Sequence, residues 1–425
     1  MLWIKNGRLI DPKSQTDQIC DICIERERIA GITPAGTADL KRHEGDEVID
    51  ASGLIVAPGL VDVHVHFRDP GFTYKEDMET GAAAAAAGGY TTVICMANTK
   101  PVVDNEETLK YLRDKAANLP VHVLNTAAIT KGFGGKELTD MEKLKKLGAV
   151  GFTDDGVPIA DTAVVLEAMK LAKALDVPLS FHEEDPALIG SFGINQGEVS
   201  KAVGVEGAPA VAEDVLVARD CALALTSGAI VNIQHISSKT SVEIVRLMKT
   251  LGGHIYAEAT PQHFSLTEKA VLDKGTLAKV NPPIRGEADR MAIIQGLKDG
   301  TIDCIATDHA PHSSEEKAKD IKSAPSGMIG LETALALGIT NLVVPEHLSL
   351  SRFLEKLTVN PAGLYHLDAG YIAVGGKADI LIFDKDECWT VETFKSKSSN
   401  SPFIGEKLQG KVKYTICDGK VVYRD

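Results

Sequence analysis

The chain has 425 residues, 44% of them hydrophobic and 24% charged, a balance that fits a globular protein and excludes a disordered or fibrous one. Its formal charge of −14, from 45 Lys and Arg against 59 Asp and Glu, excludes general attraction to nucleic acid or to an anionic membrane and leaves a small molecule as the expected partner. No apolar run of about 18 residues is present, and MLWIKNGRLIDPKS lacks the basic-then-apolar layout of a secretory signal, so a cytoplasmic protein is expected.

Residues 1 to 57 read as short strands and turns. In LWIKNGRLID the pair Asn6-Gly7 between apolar runs predicts a hairpin, and ICDICIERERIAGI follows. Cys20 and Cys23 have redox or zinc spacing but no second pair, and seven scattered cysteines do not make a disulfide framework, so both are expected to pack in a small sheet. From about residue 58 apolar strands alternate with helical stretches such as METGAAAAAAGGY and DTAVVLEAMKLAKALD. Eight strands can be counted: LVDVHVHF, TTVICMAN, VHVLNTAAI, GAVGFTDD, PLSFHEED, AIVNIQHIS, HIYAEATP and DCIATDHAPH. The residues after 367 return to strands, ADILIFDKDECWTV and GKVKYTICDGKVVYRD, the second turning at Asp418-Gly419. The predicted fold is therefore α/β: a (β/α)₈ barrel of the TIM type over 58–367, flanked by a small β domain that 1–57 and 368–425 build together.

Apolar strands end repeatedly in His, Asp or Asn: His64, His66, Asn98, Asp154, Asp155, His182, His235 and Asp308. In such a barrel all strand carboxyl ends open on one face, so these residues converge on one site. His64 and His66 are two apart on a strand and share a face. A single histidine there is more simply a hydrogen-bonded core residue, but four histidines and an aspartate need partners that packing does not supply. Zinc takes imidazole and carboxylate ligands, and two ions close together can share a hydroxide that forms near neutral pH. Asp308, ending the last strand, can both ligate metal and carry a proton from the attacking hydroxide to the leaving nitrogen. Rival motifs fail: GFGGKEL lacks Ser or Thr after Lys136, no G-x-G-x-x-G follows a strand, and no G-x-S-x-G occurs.

The segments VAPGLVDVHVHFRDPG, ICMANTKP, GFTDDG, FHEED, QHIS, VNPPIR and ATDHAPH, in that order, resemble the longer bacterial dihydroorotases of the amidohydrolase superfamily over essentially the whole chain. The resemblance implies a zinc enzyme that reversibly closes N-carbamoyl-L-aspartate to L-dihydroorotate in de novo pyrimidine (UMP) synthesis. It implies that His64, His66 and Asp308 bind one zinc, His182 and His235 a second, and that Asp155 bridges them. Many relatives bridge with a carboxylated lysine; here the fourth strand ends in Thr153, Asp154 and Asp155, and Asp154 stays the alternative because a slip of one residue would turn it inward. Arg68, two beyond His66, can take the substrate carboxylate bidentately. By the same resemblance His66, Asn98, Asn281 and His312 complete recognition, and SSEEKAKDIKSAPSGMIG forms a mobile loop whose Ser326 and Gly327 backbone touches substrate. EATPQHF departs from the pattern, with Gln262 where a second histidine is expected, and His263 is read as structural. The alternatives are a hydantoinase or allantoinase, against which Arg68 and the missing lysine argue, and a non-catalytic scaffold, which would have lost ligands. A homodimer is the default assembly, and a complex with aspartate transcarbamoylase is left open.

Overall fold

The computed structural model describes residues 1–37 and 45–425. Strands β1 (Leu2–Asp11), β2 (Thr16–Glu25), β3 (Arg28–Pro34), β4 (Glu47–Asp50) and β5 (Ile55–Pro58) come first. The parallel strands β6 (Leu60–Val65), β7 (Tyr90–Cys95), β8 (His122–Asn125), β9 (Phe152–Thr153), β10 (Leu179–Phe181), β11 (Val231–Ile233), β12 (Ile255–Ala259) and β13 (Cys304–Ile305) follow. Then come β14 (Ile380–Thr390), β15 (Lys407–Cys417) and β16 (Lys420–Arg424).

The eight strands expected of the barrel are β6 to β13. They pair in parallel as β6-β7-β8 and as β9-β10-β11-β12-β13. Two single bridges, Ala127 with Phe152 and Val65 with His309, close the ring. Ring closure fits the near-continuous apolar character of these strands, which helices cover from outside. The alanine-rich helix Met78–Ala87 buries Ala82, Ala84, Ala85 and Ala86 in the same core, and Asp77 caps its start by accepting from Thr80 N at 2.9 Å. Among the described residues no helix is long and apolar enough to cross a membrane.

The remaining strands form one sheet in the order β16-β15-β14-β5-β1-β2-β3, with β4 also on β1. Antiparallel pairing of β5 with β14, Ala57 opposite Leu381, joins strands far apart in the chain. A second core lies against this sheet, with Ile4, Ile22, Ile24, Ile380 and Ile382 buried in it. The hairpin predicted at Asn6-Gly7 does not form. β1 runs straight through, with a bulge between Ile4 and Gly7 in its ladder to β2. Asn6 sits at φ 61 and its N–H donates to Asp21 Oδ1 at 2.9 Å, while a Cβ on Gly7 would lie 2.4 Å from Val56 Cγ2. Glycine is there so that β5 can approach β1, which makes the pair a bulge and not a turn. Asp418-Gly419 does turn, at φ 46 and 72, and joins β15 to β16. Cys20 and Cys23 are buried in β2, as packing residues would be.

Candidate metal centre

Hydrogen bonds behind the histidines decide which ring nitrogen faces the site. His64 Nδ1 donates to Glu258 Oε1 of β12 at 2.6 Å, which turns Nε2 toward the site. That Nε2 has no hydrogen-bond partner, and it points between Asp155 and Asp308, 3.5 Å from an oxygen of each. His66 Nδ1 donates to Asn98 Oδ1 at 2.9 Å, and its Nε2 faces Asp308 Oδ1 at 3.0 Å. His182 Nε2 donates to Glu184 Oε2 at 3.1 Å, which leaves its Nδ1 2.9 Å from His235 Nε2. Those two nitrogens lie 3.8 and 3.9 Å from Asp155 Oδ1.

Histidine nitrogens and carboxylate oxygens therefore converge on one place, with two carboxylates buried among them. Such an arrangement calls for cations, and it fits metal: the ligand atoms of His64, His66 and Asp308, and again of His64, Asp155 and His235, lie within 4.8 Å of one another. The titration of the groups reports the same demand. Burial would push the Asp155 carboxyl up, but His64, His66 and His182 hold it far below the usual carboxylate range. Burial opposes charge on His64, yet Glu258, Asp155 and Asp308 raise it well above its ordinary value. His235 goes the other way, lowered by burial and by His182 and His64. Three of the converging residues, Arg68, His235 and Asp308, sit at φ 59, 33 and 48. Left-handed backbone at non-glycine residues costs energy that only surrounding structure sustains, and it clusters at working sites.

The two adjacent aspartates separate cleanly. Asp154 turns away and accepts from Ile129 N at 2.7 Å, Thr130 N at 3.0 Å and the Thr130 hydroxyl. Asp155 faces the histidines and accepts from Asn98 Nδ2 at 3.1 Å. Asn98 thus spends its carbonyl on His66 and one amide hydrogen on Asp155, and its second amide hydrogen is left for the space it lines.

Beside the histidines lies a cavity of about 170 Å³ whose lining includes Arg68, Asn98, Asn281, His312, Ser326 and Gly327. Arg68 Nε donates to the Pro311 carbonyl at 3.2 Å, and burial lowers its guanidinium while Asp308 and Asp155 oppose that. Asn281 Oδ1 is buried without a partner. His312 has both ring nitrogens engaged: Lys75 Nζ donates to Nδ1 at 3.2 Å and Nε2 donates to the Ser326 carbonyl at 2.9 Å. Burial, with Arg68 and Lys75, pushes this imidazole down to about 2, so it is neutral. His263 is structural as expected, its Nε2 donating to the Pro282 carbonyl at 3.0 Å beside Asn281.

The loop expected to be mobile is tied down. Lys317 Nζ donates to the carbonyls of Pro325 and Gly327, both at 3.0 Å, and Lys279 Nζ to those of Ile321 and Ala324, both at 2.7 Å. Sequence reasoning missed these lysines, and it missed Glu258 and Glu184 behind the histidines. An acid inside the apolar run HIYAEATP is the signal that could have found Glu258. A separate group, His122 with Cys417 and Asp418, lies at the opposite strand ends, where His122 and Asp379 pair at 3.2 Å across the two sheets.

Comparison with known proteins agrees with this geometry. A family model described as dihydro-orotase-like matches residues 53–241. The dihydroorotase of Clostridioides difficile is 60% identical over 423 residues, covering all of both chains. That of Clostridium acetobutylicum is 59% identical, again over all of both, and that of Lactococcus lactis 53% over all of this chain and 99% of its own. Among solved structures, L-hydantoinase (dihydropyrimidinase) from Arthrobacter aurescens superposes with a TM-score of 0.88 at 26% identity, over 100% of this chain and 96% of that one. D-hydantoinase (dihydropyrimidinase) from Thermus gives 0.85 at 26%, with the same coverage. Full-length identity above one half, together with candidate metal ligands converging at the strand ends of a barrel that the hydantoinases share, makes this chain a member of the dihydroorotase family.

Proposed function

We propose that the cavity binds N-carbamoyl-L-aspartate and L-dihydroorotate and interconverts them, with zinc as the metal and two ions per chain. The carrying observation is the convergence of four histidine rings with Asp155 and Asp308 next to a half-buried arginine. In this reading His64, His66 and Asp308 would hold one ion, His182 and His235 the other, and Asp155 would be shared between them. Zinc supplies Lewis acidity toward the amide carbonyl and lowers the pKa of water. Asp308 moves the proton. In the hydrolytic direction an oxygen of its carboxyl takes the proton of the water adding to the ring carbonyl, and returns it to the ring nitrogen as the C–N bond breaks; cyclisation runs the same steps backward. Arg68 neutralises the substrate carboxylate, and the free Asn281 Oδ1 accepts a ring N–H. His312 and the Ser326–Gly327 backbone form the facing wall.

We further propose that 1–57 with 368–425 form one domain and 58–367 the other, in a cytoplasmic homodimer; sedimentation with and without aspartate transcarbamoylase decides the assembly. The test of function is an ultraviolet assay of purified protein on dihydroorotate, hydantoin and allantoin side by side, repeated with Arg68→Met. Dihydroorotate should be turned over fastest, and Arg68→Met should raise KM with kcat nearly intact, a loss in kcat/KM of roughly 2–4 kcal/mol. Hydantoin turned over as fast as dihydroorotate, with Arg68→Met without effect, would instead make the chain a hydantoinase.

A further inference from the structure

Part of the cavity wall is main chain from two segments, residues 310–312 and 325–328, which Ala310 N joins directly by donating to the Met328 carbonyl at 2.8 Å. Asn400, in the stretch between β14 and β15, is buried and lies behind both. Its Oδ1 accepts from His312 N at 3.0 Å, and its Nδ2 donates to the carbonyls of Ala310 and Gly327, each at 3.1 Å. Its own carbonyl accepts from Ile329 N at 3.1 Å. One amide thus satisfies three backbone groups across the seam, using every hydrogen it has. The Gly327 carbonyl takes a second bond, from Lys317 Nζ, so both of its lone pairs are fixed from outside the cavity.

The packing leaves no slack for that peptide to move. Gly327 has φ 132, and a Cβ there would lie 2.9 Å from Ala310 Cβ and 3.0 Å from His312 Nε2. Asn400 is itself held toward the site, because Ser398 Oγ donates to the Lys75 carbonyl at 2.7 Å and Lys397 N to Glu76 Oε1 at 3.1 Å. The strap 396–400 therefore ties the loop after β6, which carries Arg68, to the backbone of 310–312 and 327.

We propose that Asn400 and Lys317 are positioning residues for substrate binding: without touching the ligand, they set the distance between the Arg68 side of the cavity and the Ser326–Gly327 backbone. Because a site displaced on one side binds substrate poorly while its metals and Asp308 stay in place, the effect belongs in KM. The inference rests on the dihydroorotase reading. The experiment is steady-state kinetics on dihydroorotate for Asn400→Asp, which keeps the shape but turns acceptors toward two carbonyls, and for Lys317→Met, with melting temperature and metal content measured on each. Both variants should raise KM by about tenfold with kcat within about threefold and bound metal unchanged. If one variant does not fold, the other carries the test alone, since the two side chains come from different segments. Unchanged KM in an active enzyme overturns the inference, and so does a lowered kcat with KM unchanged and the melting temperature reduced, which is the mark of a purely structural role. A wild-type protein inactive on dihydroorotate refutes the functional reading instead.

Discussion

Replacing Asp154 and Asp155 in turn tests whether neighbouring carboxylates do unrelated work. Asp154→Ala removes the acceptor of Ile129 N and Thr130 N, both buried. A buried donor left unpaired costs about 1–3 kcal/mol, so the two together cost roughly 2–6 kcal/mol, the Thr130 hydroxyl being free to turn elsewhere. The negative charge is not what stabilises. Burial, resisted by Thr130 and Ile129, raises the Asp154 carboxyl from 3.8 to about 6, which disfavours the ionised form in the fold by about 3 kcal/mol. Asp154→Asn keeps an acceptor and loses the charge, so at pH 8 it should match or exceed wild type. Because the folded protein binds this proton more tightly than the unfolded one, the group adds stability as pH falls from above about 6 toward 3.8. The advantage of Asp154→Asn should therefore shrink by pH 5. Asp155→Ala should lose the second ion. The assay is urea unfolding of chelator-treated protein at both pH values, with metal content by mass spectrometry on untreated samples. The assignment fails if Asp154→Ala unfolds within about 1 kcal/mol of wild type, or if it is the variant that sheds metal while Asp155→Ala keeps both ions.

Asp308→Asn should cost about 10²- to 10⁴-fold in rate with the fold intact, and near wild-type turnover would remove Asp308 from the proton transfer. Glu258→Gln weakens the acceptor that fixes the His64 tautomer, 2.6 Å from Nδ1. Metal affinity, read by competition with a chromophoric chelator, should drop about 10- to 100-fold, and an unchanged affinity would mean that His64 is oriented by something else.

The barrel was legible because each of its strands is a short apolar run that stops at a polar residue, a local pattern that burial imposes. His64, His66, His182, His235 and Asp308 were legible for the same reason. The choice between Asp154 and Asp155 was not, since β9 is only Phe152–Thr153 and the chain has left the alternating strand geometry before either aspartate. Asn6-Gly7 misled because a hairpin and a bulge demand the same left-handed residues. What separates them is the pairing of β1 with β4 and β5, which no local window contains. Lys317 lies in a run, SSEEKAKDIK, that reads as a solvated surface, and Lys279 stands alone in TLAKVNPPIR. Their burial comes from loop carbonyls that surround each ammonium, a feature of tertiary closure alone. Asn400 was invisible for a like reason: its three partners are 73 to 90 residues away.

The pairing of β5 with β14 also fixes an order of events during synthesis. Pro58 leaves the ribosome roughly 320 residues before Ile380, an interval of roughly 15–65 s at about 5–20 residues per second. The barrel can close during that time from strands made in sequence, whereas the other sheet cannot, because three of its strands do not yet exist. Residues 1–58 wait as a half-sheet whose isoleucine face lacks Ile380 and Ile382 and whose β5 edge is open. In that window edge pairing with a second nascent chain competes with pairing to β14, a competition that the stability of the finished fold does not enter.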